Sequence, residues 1–171
     1  MTTTSDANDP DETIGDWERL CALLEPDPEV WRAVERALDE GDVDGDAEIE
    51  EAGPWAALVD ALDESGAIAC LDTGDTGDLL VDAVTALPRL SRAGLATGVD
   101  VDLRPVVDVD DLDEAIAATR SALAAVGLDL VALDEGDGDE ECLPLVAVAS
   151  ADVAEITALV GSLGHRLLPL G

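Results

Sequence analysis

Forty-one carboxylates stand against eight basic residues in this 171-residue chain, a formal net charge of −33, and any fold must keep almost all of that charge in water. An unpaired carboxylate cannot be buried without losing its charge. Two kinds of chain are this acidic: a disordered one with few branched apolar residues, and one whose acids coat a core. Here 47% of the residues are hydrophobic, and Leu, Val and Ile recur at helix and strand spacings. The chain therefore reads as folded, with enough length to bury a core without disulfide staples.

The rest of the composition narrows the solvent. All eight bases are arginine, and Lys, Phe and Tyr are absent. In molar salt the Debye length shrinks to about 3 Å, so crowded carboxylates repel little while net charge keeps molecules in solution. Lysine, whose alkyl stem spreads over apolar surface, fits such a surface poorly. The expectation is a soluble, halophilic, cytoplasmic protein whose acidity is a hydration coat and not a site. No basic stripe is present to neutralise phosphates, which argues against nucleic acid as a partner. Residues 1–10 read as a polar, disordered tail without a signal peptide. No apolar run reaches the roughly 20 residues of a membrane span. Cys21, Cys70 and Cys142 lack C-x-x-C spacing and read as buried, reduced thiols.

Periodicity then orders the elements. The first helix is expected over 11–24, with Ile14, Trp17, Leu20 and Leu24 on one face. A second, opened by Asp27 and Pro28, runs to Leu38. A third begins at Pro54 and stops at Gly66. An acidic loop spans 41–51. Residues 67–71 have the length of a strand, and the turn 72–78 leads to a helix that breaks at Pro88, leaving 89–98 irregular. The remainder reads as strand 99–107, a helix capped by Asp110 and Asp111, strand 128–133, acidic turn 134–141, strand 143–149, a helix capped by Ser150, and a final strand 165–170. Written out, 99–171 is β-α-β-β-α-β, the ferredoxin-like order, with an antiparallel four-stranded sheet and both helices on one face. The expected class is α+β: a helical part over 11–98 with one extra strand, and a ferredoxin-like part over 99–171, together forming one compact domain. Whether strand 67–71 joins the same sheet is open at this level.

Absent residues exclude chemistries. Without lysine there is no P-loop lysine and no Schiff base. No G-x-G-x-x-G and no G-x-S-x-G occurs. His165 is the only histidine, so two-histidine metal sites are impossible; it reads as a strand-start residue near the surface beside Arg166. Arg104, a base amid acids, reads as the partner of a nearby Asp. One constellation has metal-ligand spacing. Glu40, Asp42, Asp44 and Glu51 fall at the first, third, fifth and twelfth positions of an EF-hand-like loop, with Asp46 among them and Gly45 at the sharp turn. Glu replaces the usual Asp at the first position, and Gly53-Pro54 interrupts the exiting helix. The turns 72–78 and 134–141 also gather acids that could hold calcium or magnesium or act as general acid and base; acidic runs more often mark solvated loops.

The stretch GAIACLDTGDTGDLLVDAVTAL, followed by GLDLVALDEGDGDEECLPLVAVASADVAEITALVGSLGHRL, resembles domain-of-unknown-function family 6630 over residues 54–170. That resemblance implies an aromatic after Leu71-Asp72 and another near 142, where Thr73 and Cys142 stand here. It implies no activity, cofactor or catalytic residue.

The functional expectation is a non-catalytic module that binds a small ligand or another protein, with a homodimer through the apolar strand 143–149 as one form of partner. Two alternatives are kept: a carboxylate-based or metal-assisted hydrolase using the turns at 72–78 and 134–141, and a calcium-binding protein using the loop at 40–51. No resident cofactor is expected under the first reading.

Overall fold

The computed structural model describes residues 10–40, 53–134 and 142–170. The tail 1–9, the acidic segments at 41–52 and 135–141, and residue 171 lie outside them.

Three helices come first: α1 (Pro10–Leu24), α2 (Pro28–Glu40) and α3 (Pro54–Glu64). In α1, Trp17, Leu20, Cys21 and Leu24 are all buried, the i, i+3, i+4, i+7 stripe of an amphipathic helix. Asp27 opens α2 by accepting the Glu29 N–H through its carboxylate at 3.0 Å. Strand β1 (Ile68–Leu71) follows, then α4 (Gly77–Thr85), α5 (Pro88–Thr97), the single-turn α6 (Arg104–Val107) and α7 (Leu112–Leu123). The chain ends in β2 (Leu128–Leu133), β3 (Leu143–Ala149), α8 (Val153–Ser162) and β4 (Leu167–Leu168). Gly66 and Gly127, at φ +72° and +74°, stop the helical segments before β1 and β2, a backbone state that costs glycine little.

One antiparallel sheet runs in the order β1-β3-β2-β4. Ile68 pairs with Val146, Val131 with the same Val146 on the other side, and Leu133 with Leu167. The strand at 67–71 thus joins the C-terminal sheet. The order β-α-β-β-α-β survives, but its first strand is β1 and not 99–107. In that region 99–103 forms no strand and Arg104–Val107 is helical. The alternation of Val and Asp at 99–102 imitates a strand, yet Pro105 lies in the first turn of α6, where its missing N–H costs nothing.

The strand order decides the layers, and here the ferredoxin-like expectation is corrected. β1 and β2 are parallel with β3 between them; β3 and β4 are parallel to each other, opposite in sense, with β2 between them. Both crossovers step the same way along the sheet, so a shared right hand puts their helices on opposite faces. The packing agrees. Ile156 and Val160 of α8 join α1–α3 over Val131, Leu133, Val146 and Val148. On the other face, Leu80, Leu87 and Ile116 pack over Leu130, Ala132, Leu145 and Ala147. The continuous apolar run of β3 is buried on both sides, as such a run requires.

Ion pairs tie the layers. Arg92 of α5 binds both oxygens of the buried Glu25 at 2.7 and 2.8 Å, and Arg89 donates to the Leu23 carbonyl at 2.9 Å. Arg120 of α7 grips Asp129 at 2.6 and 3.0 Å and donates to the Leu170 carbonyl. That guanidinium, and the Leu130 N–H, hold the Asp129 carboxyl below its ordinary range against the effect of burial.

Candidate functional site

Parallel β1 and β2 end on the same side of the sheet, and the groups with chemistry gather there on both faces. On the helical-layer face of α1–α3, His165 lies stacked on Trp55 with ring centroids 4.3 Å apart and planes 9° apart. Trp17 meets the imidazole edge-on at 6.0 Å and Trp55 at 6.3 Å. The Trp55 indole N–H donates to the Asp134 carbonyl at 2.8 Å, and the Asp134 carboxylate pairs with Arg166. His165 is half-buried rather than surface-lying, and burial lowers its pKa while Asp134 pulls the other way. The aromatic stack was invisible in sequence because Trp17, Trp55 and His165 are separated by long stretches of chain and no local motif joins them.

On the opposite face a cleft of about 260 Å³ opens. Thr73 from the turn after β1, Asp111 and Asp113 from the start of α7, Cys142 before β3, and Leu168 and Leu170 from the chain's last segment line it. Leu168 and Leu170 supply the apolar wall, and the others supply the polar one. Asp111 is already committed in part: its carboxylate caps α7 by accepting the Glu114 N–H at 2.9 Å, the bond that an N-cap aspartate makes.

The positions singled out in the sequence are dispersed. Of the EF-hand-like set, Glu40 ends α2, while Asp42, Asp44, Asp46 and Glu51 fall outside the described residues. In the turn 72–78, Asp75 accepts the Asp72 N–H at 2.8 Å, so this acid serves its own turn; Thr73 is what the turn contributes to the cleft. Of 134–141, only Asp134 is described. Among the described residues, no three His, Cys, Asp or Glu side chains are grouped to hold a metal ion. Arg104 does pair with a neighbouring acid, Asp102, at 2.8 Å, and this brings the exposed Asp102 down to about 2. The cysteines divide: Cys21 is buried, Cys142 half-buried and Cys70 exposed on β1. Burial pushes the Cys21 thiol up to about 12, which leaves it protonated and unreactive.

A family model described as "Domain of unknown function (DUF6630)" matches residues 16–170, nearly the whole chain. The chain belongs to this family. The match spans both helical layers and the sheet, so the DUF6630 domain is the whole two-faced unit and takes in α2 and most of α1, upstream of residue 54. No curated protein and no solved structure matches it. Thr73 and Cys142, where the resemblance implied aromatics, both border the cleft in this DUF6630 member. Among the described residues no helix is long and apolar enough to cross a membrane.

Proposed function

We propose that this DUF6630 domain is a non-catalytic module that binds a small, partly polar molecule in the cleft at the ends of β1 and β2, in a salt-rich cell interior. The observation that carries this reading is convergence. Segments distant in the chain, the turn after β1, the cap of α7 and the residues after β4, line one concavity with one polar and one apolar wall. Such mixed concavities are where small ligands bind. The basic side chains are largely engaged already: six of the eight arginines are in ion pairs with carboxylates, which leaves little basic surface for a phosphate backbone.

A thermal-shift screen of amines, polyols, amino acids and nucleotides in molar KCl tests this reading. A true ligand raises the melting temperature by mass action, and Thr73→Trp, which fills the cleft from an exposed turn, abolishes the shift. A screen in which nothing stabilises the protein, or a ligand indifferent to Thr73→Trp, removes the cleft as the site. The solvent part of the proposal has its own test. Dialysis into dilute buffer is expected to unfold the chain as carboxylate repulsion is unscreened; an unchanged circular dichroism spectrum there ends it.

A further inference from the structure

The two walls of the cleft are fastened differently. The polar wall grows from the body of the fold: Thr73 follows β1, Asp111 caps α7, and Cys142 leads into the buried strand β3. The apolar wall includes one short stretch, Leu168, Pro169 and Leu170. Leu167 and Leu168 pair with Leu133 and Ala132 of β2, and there the ladder stops. Pro169 has no N–H with which to extend it, and β4 is the last strand of the sheet. Leu168 and Leu170 rest on the aliphatic cluster but are only half-buried, and Pro169 is exposed. Past Leu168 the backbone is tied down by Arg120 of α7, which donates to the Leu170 carbonyl at 3.0 Å. Asp129 sets that guanidinium in place, accepting from its Nε and Nη2 at 2.6 and 3.0 Å.

We propose that residues 167–170 form a hinged wall of the cleft, that Arg120 is its latch, and that a small molecule enters when the latch releases. The inference rests on the cleft being a binding site and assigns its gate. Two ladder pairs, two half-buried leucines and one charge-assisted hydrogen bond make a small unit. Units with so few contacts open without unfolding the rest of the molecule. Opening takes the donor from the Leu170 carbonyl but leaves the Arg120–Asp129 pair intact. The guanidinium therefore stays charged and aimed, ready to catch the carbonyl again. Arg120 does not itself line the cleft. It is a positioning residue that acts through Leu170. With the wall away, the cleft opens along the outer edge of β2, and the Cys142 thiol on the polar wall becomes reachable from that side.

Residue-resolved hydrogen exchange of the full chain in molar KCl tests this without a ligand, so a failed hinge and a failed cleft are told apart. The ladder amides of β4 are expected to exchange through an opening that low urea does not accelerate, because it exposes little surface. Those of β3 are expected to follow urea as global unfolding does. Arg120→Ala is expected to speed β4 exchange about tenfold, the loss of one hydrogen bond to a charged group, and to leave it independent of urea. Alkylation of Cys142 by iodoacetamide, in a Cys70→Ser chain whose Cys21 stays buried, is expected to rise by the same factor. Asp129→Asn removes the ion pair but leaves Arg120 within reach of Leu170, so it is expected to raise both rates less. Equal effects of the two variants overturn the assignment of Arg120 as the latch. Cys142 alkylation indifferent to Arg120→Ala overturns the gate. If Arg120→Ala does not fold, the wild-type chain decides: β4 exchange that tracks urea as β3 does overturns the hinge.

Discussion

The two faces of the sheet solve the same packing problem with different materials. The chain has no Phe or Tyr, and its three tryptophans all sit on the side of α1–α3 and α8. The opposite side is filled by Leu, Val, Ile and Ala alone. The tryptophan face gains volume from a few large rings and orients them with polar handles, such as the Trp55 bond to Asp134. The aliphatic face has only small units, so its elements must approach more closely. Gly77 shows how closely: its N–H donates to the Val109 carbonyl at 2.8 Å, and a Cβ placed there would lie 1.9 Å from the Val106 carbonyl oxygen. One face depends on single bulky anchors, and the other on the absence of bulk at a contact point.

The comparison can be broken by substitution. The largest effect is expected from Trp55→Ala, a loss of about 3–5 kcal/mol in urea titrations followed by circular dichroism in molar KCl. A cost below about 1 kcal/mol would show that the ring is not the anchor of its face. Gly77→Ala is expected to cost about 3 kcal/mol by forcing α4 off α6, and a neutral result would dissolve the claim of close approach on the aliphatic side. Arg92→Ala leaves the Glu25 carboxylate buried without its ion pair. Because Arg92 is itself half exposed, a cost of about 2 kcal/mol is expected, below the loss for a fully buried pair. Asp111→Ala removes the cap of α7 for about 1 kcal/mol.

The smallest effect separates the faces by acidity. Burial holds the His165 pKa below that of the unfolded chain, so the unfolded state takes up a proton first as pH falls. The contribution of neutral His165 is present above its unfolded pKa, near 6.5, and is lost as pH drops through the lower folded value. His165→Gln should flatten the decline in melting temperature between pH 7 and 5 relative to wild type. An identical slope in both proteins would mean that the stack with Trp55 does not resist protonation.

Much of the architecture was legible because it is written in local periodicity. The stripe Trp17, Leu20, Leu24, the stops at Gly66 and Gly127, and the apolar runs at 128–133 and 143–149 each declare an element from its own neighbours. What misled was 99–107, where Val-Asp alternation imitates a half-buried strand although Val99 is 44% exposed and Pro105 opens a helical turn. The helix does break before Pro88, but that proline begins a new one, so 89–97, read as irregular, is helical. The placement of helices on both faces depends on which strands pair, a long-range property that no window of sequence holds. The cleft was legible least of all. Thr73, Asp111 and Leu168 carry no shared motif, and only the strand order brings them together.

The segregation of every indole to one side has a practical consequence for anyone watching this protein unfold. Its intrinsic fluorescence comes from one layer alone, and the aliphatic layer is optically silent. An emission-detected transition therefore follows half of the molecule. Coincidence between that trace and a far-ultraviolet one would be direct evidence that the two layers come apart as a single cooperative unit.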